Sequence, residues 1–248
     1  MLIKELVNHL DELLQPNLFK DYCPNGLQIA GKSEVGNIVC GVSLTEELVD
    51  RAVEQSADAI IVHHGVFWNG DDYRITGYKY KRIAKLIKHD INLIAYHLPL
   101  DNHATLGNNI QLAKLLKFEN IRQNDKQNLL WFGELAQTMT IEQFAEVYQK
   151  LTNHKPIYFA HPQQKIKKVA LCTGGAVSLF NEASTHDIDL YITGEVKENI
   201  MAQSLESDVA YIAGGHYVTE RYGIQALSKY LNDNLGIASQ FIELYNPI

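Results

Sequence analysis

Short apolar runs alternate with amphipathic stretches along most of this 248-residue chain, and that rhythm restricts the fold more than any other feature. In the first half, IVCGV (38–42), AIIV (59–62) and INLIAY (91–96) read as buried strands. Helix-period stretches fall near 45–55, 80–89 and 107–117. The second half repeats the order: VALCTGG (169–175), DLYIT (189–193) and VAYIAG (209–214) are interleaved with helical patterns near 177–186, 196–205 and 220–232. Strand, helix, strand in this order predicts an α/β fold.

The repetition is arithmetical as well as qualitative. Ile38 to Val169 and Asp58 to Asp189 are both offsets of 131 residues, so a strand, helix and strand recur without a gap. Asp90 to Asp208 and Ala95 to Ala213 are both offsets of 118. We read this as an internal duplication giving two structurally similar lobes. The polar, aperiodic NIRQNDKQN segment within 120–130 is the best linker candidate. It divides the chain into a lobe over 1–125 and a lobe over 126–248, with the C-terminal segment a candidate to return to the first. The intervening WFGELAQ, IEQFAEVYQKL and HKPIYFAHP stretches carry strand and helix signals but no polar constellation.

Local signals support several helices. Ser43 and Glu46 fit a capping box ahead of LVDRAV, and Gly107 with Asn108 and Asn109 precedes IQLAKLL. In KYKRIAKLIK (79–88), Ile83, Leu86 and Ile87 are expected to face inward and the lysines to be solvated. The formal charge of -7 disfavours sequence-blind nucleic-acid binding, which wants a basic surface. Cys23, Cys40 and Cys172 form no CxxC pair and read as reduced core residues. No run approaches the roughly 20 apolar residues of a membrane span, and the N-terminal leucines have helical spacing unlike a signal peptide. Cytoplasmic residence and no membrane partner are the expectations.

In α/β sheets, ligands bind beyond the carboxyl ends of the strands, so the residues following each apolar run carry the chemistry. His63 and His64 follow AIIV; His97 and Asp101 follow INLIAY; Glu195 follows DLYIT; His216 and Glu220 follow VAYIAG. Adjacent strand residues point to opposite faces, so His63 and His64 suit two neighbouring ions better than one. His216 and Glu220, four apart, share a face if HYVTE is helical, and a carboxylate there can bridge two cations. The expected site is a dinuclear divalent-metal centre on His63, His64, Asp101, His216 and Glu220, accepting zinc, iron, manganese or nickel. His97 reads either as a ligand or as a group orienting one, and stays outside the five. Glu195 is either a general base or a helix-start carboxylate. His9, His89, His103, His154, His161 and His186 have no partner in the pattern and read as ordinary histidines.

These residues resemble the NIF-three-like family, also called GTP cyclohydrolase I type 2 homologues. The likeness runs through YCPNGLQIAG (22–31), IIVHHGVFW (60–68), HLPLDNH (97–103), LGNN (106–109), TGE (193–195) and GGHYVTERYGI (214–224), in the short bacterial form. It implies two intertwined α/β lobes, a ring-shaped hexamer, and two metal ions in a cleft between the lobes on His63, His64, Asp101, His216 and Glu220, with Glu220 bridging. The family name implies opening of the imidazole ring of GTP, and metal handling, nucleic-acid association and binding of regulators are also proposed for the family. The leading expectation is a metal-dependent hydrolase of a small nucleotide or related heterocycle. The alternatives are a non-catalytic metal storage, delivery or sensing protein, or a ring-shaped scaffold for nucleic acid or a regulator, with the acidic balance against the nucleic-acid version. PNGLQ has no role that the sequence supplies.

Overall fold

The computed structural model describes residues 1–124 and 129–248. The chain forms two compact units, Met1–Gly107 with Gly223–Tyr245, and Asn108–Tyr222 with Asn246–Ile248. The first contains α1 (Ile3–Leu14), β1 (Gly26–Ile29), β2 (Asn37–Ser43), α2 (Glu46–Glu54), β3 (Ala59–His64), α3 (Gly77–Lys88), β4 (Asn92–Ala95) and α4 (Leu98–Asn102). The second contains α5 (Asn108–Leu115), β5 (Glu119–Gln123), β6 (Trp131–Thr140), α6 (Ile141–Thr152), β7 (Ile157–Phe159), β8 (Lys165–Leu171), α7 (Phe180–Ala183), β9 (Leu190–Thr193), α8 (Ile200–Ser207) and β10 (Ala210–Ala213). Then α9 (His216–Leu235) starts among second-unit residues and continues into first-unit residues, and β11 (Ala238–Phe241) pairs with β2 in parallel.

Among the described residues the first unit's sheet runs β1-β4-β3-β2-β11 and the second's runs β5-β6-β8-β9-β10-β7. Both are mixed, with a parallel centre, which explains the uninterrupted apolar runs: strands covered on both faces lack polar alternation. In the first unit Val39, Ile60 and Val62 pack with Leu48, Val49 and Ala52 of α2 and with Ile83 and Leu86 of α3. In the second, Val169, Leu171, Ile192 and Ile212 pack with Leu112 of α5 and with Phe144 and Tyr148 of α6. Ala170, Tyr191 and Tyr211 point the other way, toward Phe180, Ala183 and Ile200.

The sequence offsets reappear in the hydrogen bonds. Ile38 pairs with Ala59 and Val39 with Ile60; 131 residues on, Val169 pairs with Leu190 and Ala170 with Tyr191. Ala59 pairs with Asn92, and Leu190 with Ala210, which adds the offset of 118. Asp58 Oδ2 accepts from the amides of Gly36 and Asn37 at 2.9 and 3.0 Å, and Asp189 Oδ2 accepts from those of Lys167 and Lys168, both at 2.8 Å. Asp58 thus ties the start of β3 to the start of β2, and Asp189 ties the start of β9 to the third and fourth residues of β8.

Several local expectations need correction. The unit division falls at Gly107 and Asn108 rather than at 125 and 126, because Ile110, Leu112 and Ala113 of α5 belong to the core around Trp131 and Leu135. The expected linker is partly strand, since Glu119–Gln123 pairs with β6; its residues 125–128 lie outside those described. Thr45, not Ser43, caps α2, its Oγ1 accepting from Leu48 N at 3.1 Å. Ile87 is exposed, whereas Lys79 is buried with its ammonium against Asp71 and the Asp72 carbonyl, because α3 turns its Ile83 and Leu86 side to the sheet. The three cysteines are free and buried. No helix among the described residues is long and apolar enough to cross a membrane.

Burial alone would raise the Asp58 pKa, but bonds from Lys32 Nζ and the Gly36 and Asn37 amides hold it below the ordinary carboxylate value. A depressed carboxylate contributes stability above its unfolded pKa that is lost as pH falls through the folded one. Asp58→Asn is therefore expected to cost about 2 kcal/mol at pH 7. In urea titrations the deficit should shrink as pH falls below about 4; a deficit independent of pH would contradict this account.

Candidate metal centre

In the first unit, β3 ends on the two histidines. The His63 side chain is fully buried, and its Nδ1 lies 3.0 Å from the carbonyl oxygen of Tyr96. His64 Nδ1 lies 2.9 Å from Ser43 Oγ at the end of β2. The two rings are 4.5 Å apart between centroids and tilted by 43°. The α4 turn after β4 brings Asp101 back, and its Oδ1 lies 3.4 Å from His63 Nε2. Asp101 is itself buried.

His97 belongs to the same group. Its ring is 5.0 Å from that of His63 and 5.7 Å from that of His64, and one donor atom from each of the three histidines fits within 4.8 Å. Its Nδ1 sits 2.6 Å from Asp21 Oδ1, and its amide donates to Asn25 Oδ1 at 2.8 Å. Asp21 Oδ2 accepts from Asn25 Nδ2 and from the Leu98 amide. Burial would raise the Asp21 pKa, yet His97, Asn25 and the Tyr22 amide hold it below its usual value. Burial, with Asp21 and Asp101 nearby, pushes the Cys23 thiol up to about 12, so it is no thiolate near neutrality.

The PNGLQ segment now has a structural role. Asn25 fixes the start of the His97 turn, and Gln28 Oε1 accepts from Val66 N at 2.9 Å in the loop after the histidine pair. A Cβ on Gly65 would stand 2.2 Å from Gln28 Oε1, so a side chain there would displace the Gln28 amide from its bond to Val66. No spacing rule exposes this, because the segment runs into β1 from its start and comes after no predicted strand.

In the second unit, the residues HYVTE do form the first turn of α9, and His216 Nε2 lies 3.0 Å from Glu220 Oε2. His216 Nδ1 lies 2.6 Å from Glu195 Oε1, just beyond β9. Glu195 therefore acts on His216 and is not a helix-start carboxylate, for it lies outside α8. Burial would lower the His216 pKa, but Glu220 and Glu195 together carry it up to about 10. Gly174, at φ +70°, completes the cradle: its amide donates to Thr219 Oγ1, and an added Cβ would lie 1.8 Å from Glu220 Oε1.

One rule orders all four histidines. Each ring has its Nδ1 against an oxygen, namely the Tyr96 carbonyl, Ser43 Oγ, Asp21 or Glu195. A histidine held in this way presents Nε2 as the donor, the usual arrangement of metal-ligating imidazoles. With Asp101 and Glu220 supplying hard oxygens, the donor set fits a divalent cation. The five expected residues are thus placed as His63, His64 and Asp101 in one unit and His216 and Glu220 in the other. Asp21, Ser43 and Gly174 are the members that sequence reasoning missed.

Residues 1–247 match the model of the DUF34/NIF3 (NGG1p interacting factor 3) family. This chain belongs to the DUF34/NIF3 family. It is 42% identical over 247 residues to a "GTP cyclohydrolase 1 type 2 homolog" of Neisseria meningitidis, covering 100% of this chain and 99% of that one. A Pseudomonas aeruginosa protein of the same name is 40% identical, covering 99% of this chain and 98% of its own. Among solved structures, protein ybgI, of unknown function, superimposes with a TM-score of 0.96 at 40% identity over 100% of both chains. TTHA1606 of Thermus thermophilus gives 0.90 at 31% identity over 100% of both. The NIF3 fold is thereby established as a mixed α/β arrangement with two sheets.

Gly174→Ala in this NIF3 chain should push Glu220 out of place. The expected result is at least about a tenfold loss of divalent-metal affinity by calorimetry with far-UV circular dichroism retained. Wild-type affinity in the variant would remove Gly174 from the site.

Proposed function

We propose that this NIF3-family protein holds two divalent ions per chain on His63, His64, Asp101, His216 and Glu220, and uses them as a hydrolase of a nucleotide or related small heterocycle. The observation that carries the proposal is the uniform anchoring of Nδ1, which leaves Nε2 as the ring nitrogen for a cation, with Asp101 beside that of His63 and Glu220 beside that of His216. Such ions would act as Lewis acids, acidifying a water and polarising the bond under attack. The chain's own part is to orient the donors: Ser43 sets the His64 ring, the Tyr96 carbonyl sets His63, and Glu195 sets His216. Zinc, iron, manganese and nickel all suit this mixture of imidazole and carboxylate.

The same proposal takes the two units as products of one duplication, each supplying part of the ligand set. It is supported by the shared strand registers and by the matching Asp58 and Asp189 clamps. A ring-shaped hexamer belongs to the proposal on the strength of the family resemblance, and light scattering tests it.

Elemental analysis of gently purified protein should find two ions per chain, and His64→Ala should abolish turnover across a nucleotide panel while leaving circular dichroism and Tm nearly unchanged. Two retained ions with no hydrolysis of any nucleotide would overturn the enzyme and leave metal storage or delivery as the function. Fewer than two ions at saturation would overturn the dinuclear site.

A further inference from the structure

Next to the histidine group of the first unit is a corner of aromatic rings that metal binding does not require. Trp68 stands edge-on to His97, with centroids 5.1 Å apart at 83°, and 5.7 Å from the His64 ring. Tyr22 meets His97 from another direction at 6.3 Å and 64°. Tyr22 is 65% exposed, yet its backbone is fixed. Its amide donates to Asp21 Oδ1 at 2.6 Å, its carbonyl accepts from Asn69 N at 2.7 Å, and Asn69 Nδ2 donates to the Asp21 carbonyl at 3.2 Å. Asp21 thus ties together the segment bearing Tyr22, the loop bearing Trp68, and the ring of His97. Opposite its bond to Asp21, His97 has a second nitrogen, Nε2, for which the described residues supply no hydrogen bond.

The charges nearby indicate what kind of ligand suits this corner. In the loop after Trp68, Arg74 is bonded to Asp72, and Lys79 to Asp71 and the Asp72 carbonyl. Asp21 and Asp101 are carboxylates. No spare cation is offered to a phosphate by these groups, whereas aromatic faces bind planar rings whatever their charge.

We propose that Tyr22, Trp68 and His97 form a subsite for the planar heterocycle of the substrate, which packs on the two aromatic rings and turns its polar edge to His97 Nε2, while phosphate contributes little. The proposal deepens the hydrolase assignment and rests on it for the word substrate; ring binding itself is measured without turnover.

The test is a titration of the full chain, metal-loaded and metal-free, with adenosine, guanosine, uridine, their 5′-monophosphates and ribose 5-phosphate, monitored by tryptophan emission and ligand-observed NMR. The chain has two tryptophans, and Trp131 is buried in the second unit, so Trp68 carries the emission response. With the metal-free chain, in which no ion can hold a phosphate, at least one nucleoside should bind, its monophosphate should bind within about threefold as tightly, ribose 5-phosphate should not bind, and affinity should be nearly flat with salt. The metal-loaded chain should still bind the nucleoside. Tyr22→Ala should weaken nucleoside binding about tenfold, Tyr22→Phe should restore it, and metal content should be unchanged in both. In the metal-free chain, absence of nucleoside binding, equal binding of ribose 5-phosphate, a steep salt dependence, or wild-type affinity in Tyr22→Ala would each overturn the subsite. Ring binding without hydrolysis or without two ions would overturn the hydrolase assignment and leave the subsite standing. Hydrolysis unaffected by Tyr22→Ala, with no ring binding, would do the reverse.

Discussion

The parallel register of β2, β3 and β4 is the constraint on which the first unit's site depends. Because Cys40, Ile61 and Ile94 lie side by side, the three strands end together, and the residues just beyond those ends share one edge of the sheet. Ser43, His64 and the Tyr96 carbonyl occur at those ends, so the hydrogen bonds that orient both histidines are consequences of register. A slip of one residue would turn His64 toward the opposite face. Asp58 opposes such a slip from the other end, bonded to two amides at the entry of β2.

Orientation then solves a problem of burial. His63, Asp101 and Glu220 are almost wholly removed from water, a position in which polar groups are costly unless bonded. Oxygen partners at Nδ1 engage one nitrogen of each imidazole. Asp101 and Glu220 lie 3.4 and 3.0 Å from the other nitrogen of His63 and His216, close enough for a charge contact but without a hydrogen bond at His63 Nε2 or at Glu220 Oε2. Within each unit these contacts fix the ring orientations, and preorganisation of this kind lowers the ordering cost of any ligand that uses them.

The features legible in the sequence were those that periodicity or strand-end position marks. The strands, the offsets of 131 and 118 and the candidate ligands all derive from such local signals. Asp21 was not legible because its partners, Asn25, His97 and Leu98, are joined only by the tertiary fold, and a lone aspartate before a turn has many ordinary uses. Ser43 is legible as a polar residue, but local pattern points it to the cap of α2, a place that Thr45 takes. A serine before a helix satisfies the capping pattern, and only the neighbouring strand shows that its hydroxyl faces His64. The unit boundary was obscured for a similar reason, since α5 looks like the end of the first rhythm while its apolar side packs with Trp131 and Leu135.

The departures from the repeat are as informative as the repeat. At the offset of 131, His63 and His64 fall on Gly194 and Glu195. A Cβ at Gly194 would come within 2.6 Å of the His216 Cα and 2.7 Å of the Gly174 carbonyl, so no histidine can stand at the first of these positions. The start of α9 occupies that space and supplies its own histidine, and the carboxylate at the second position is left to orient it rather than to be a strand-end ligand. The second unit therefore cannot be a copy of the first in its chemistry while keeping α9 where it is. Its two ligand candidates, His216 and Glu220, are delivered by one helical turn, whereas the first unit gathers His63, His64 and Asp101 from a strand end and a short helix. The strand frame is common to both halves, and steric exclusion at one glycine is sufficient to send their functional residues to different elements.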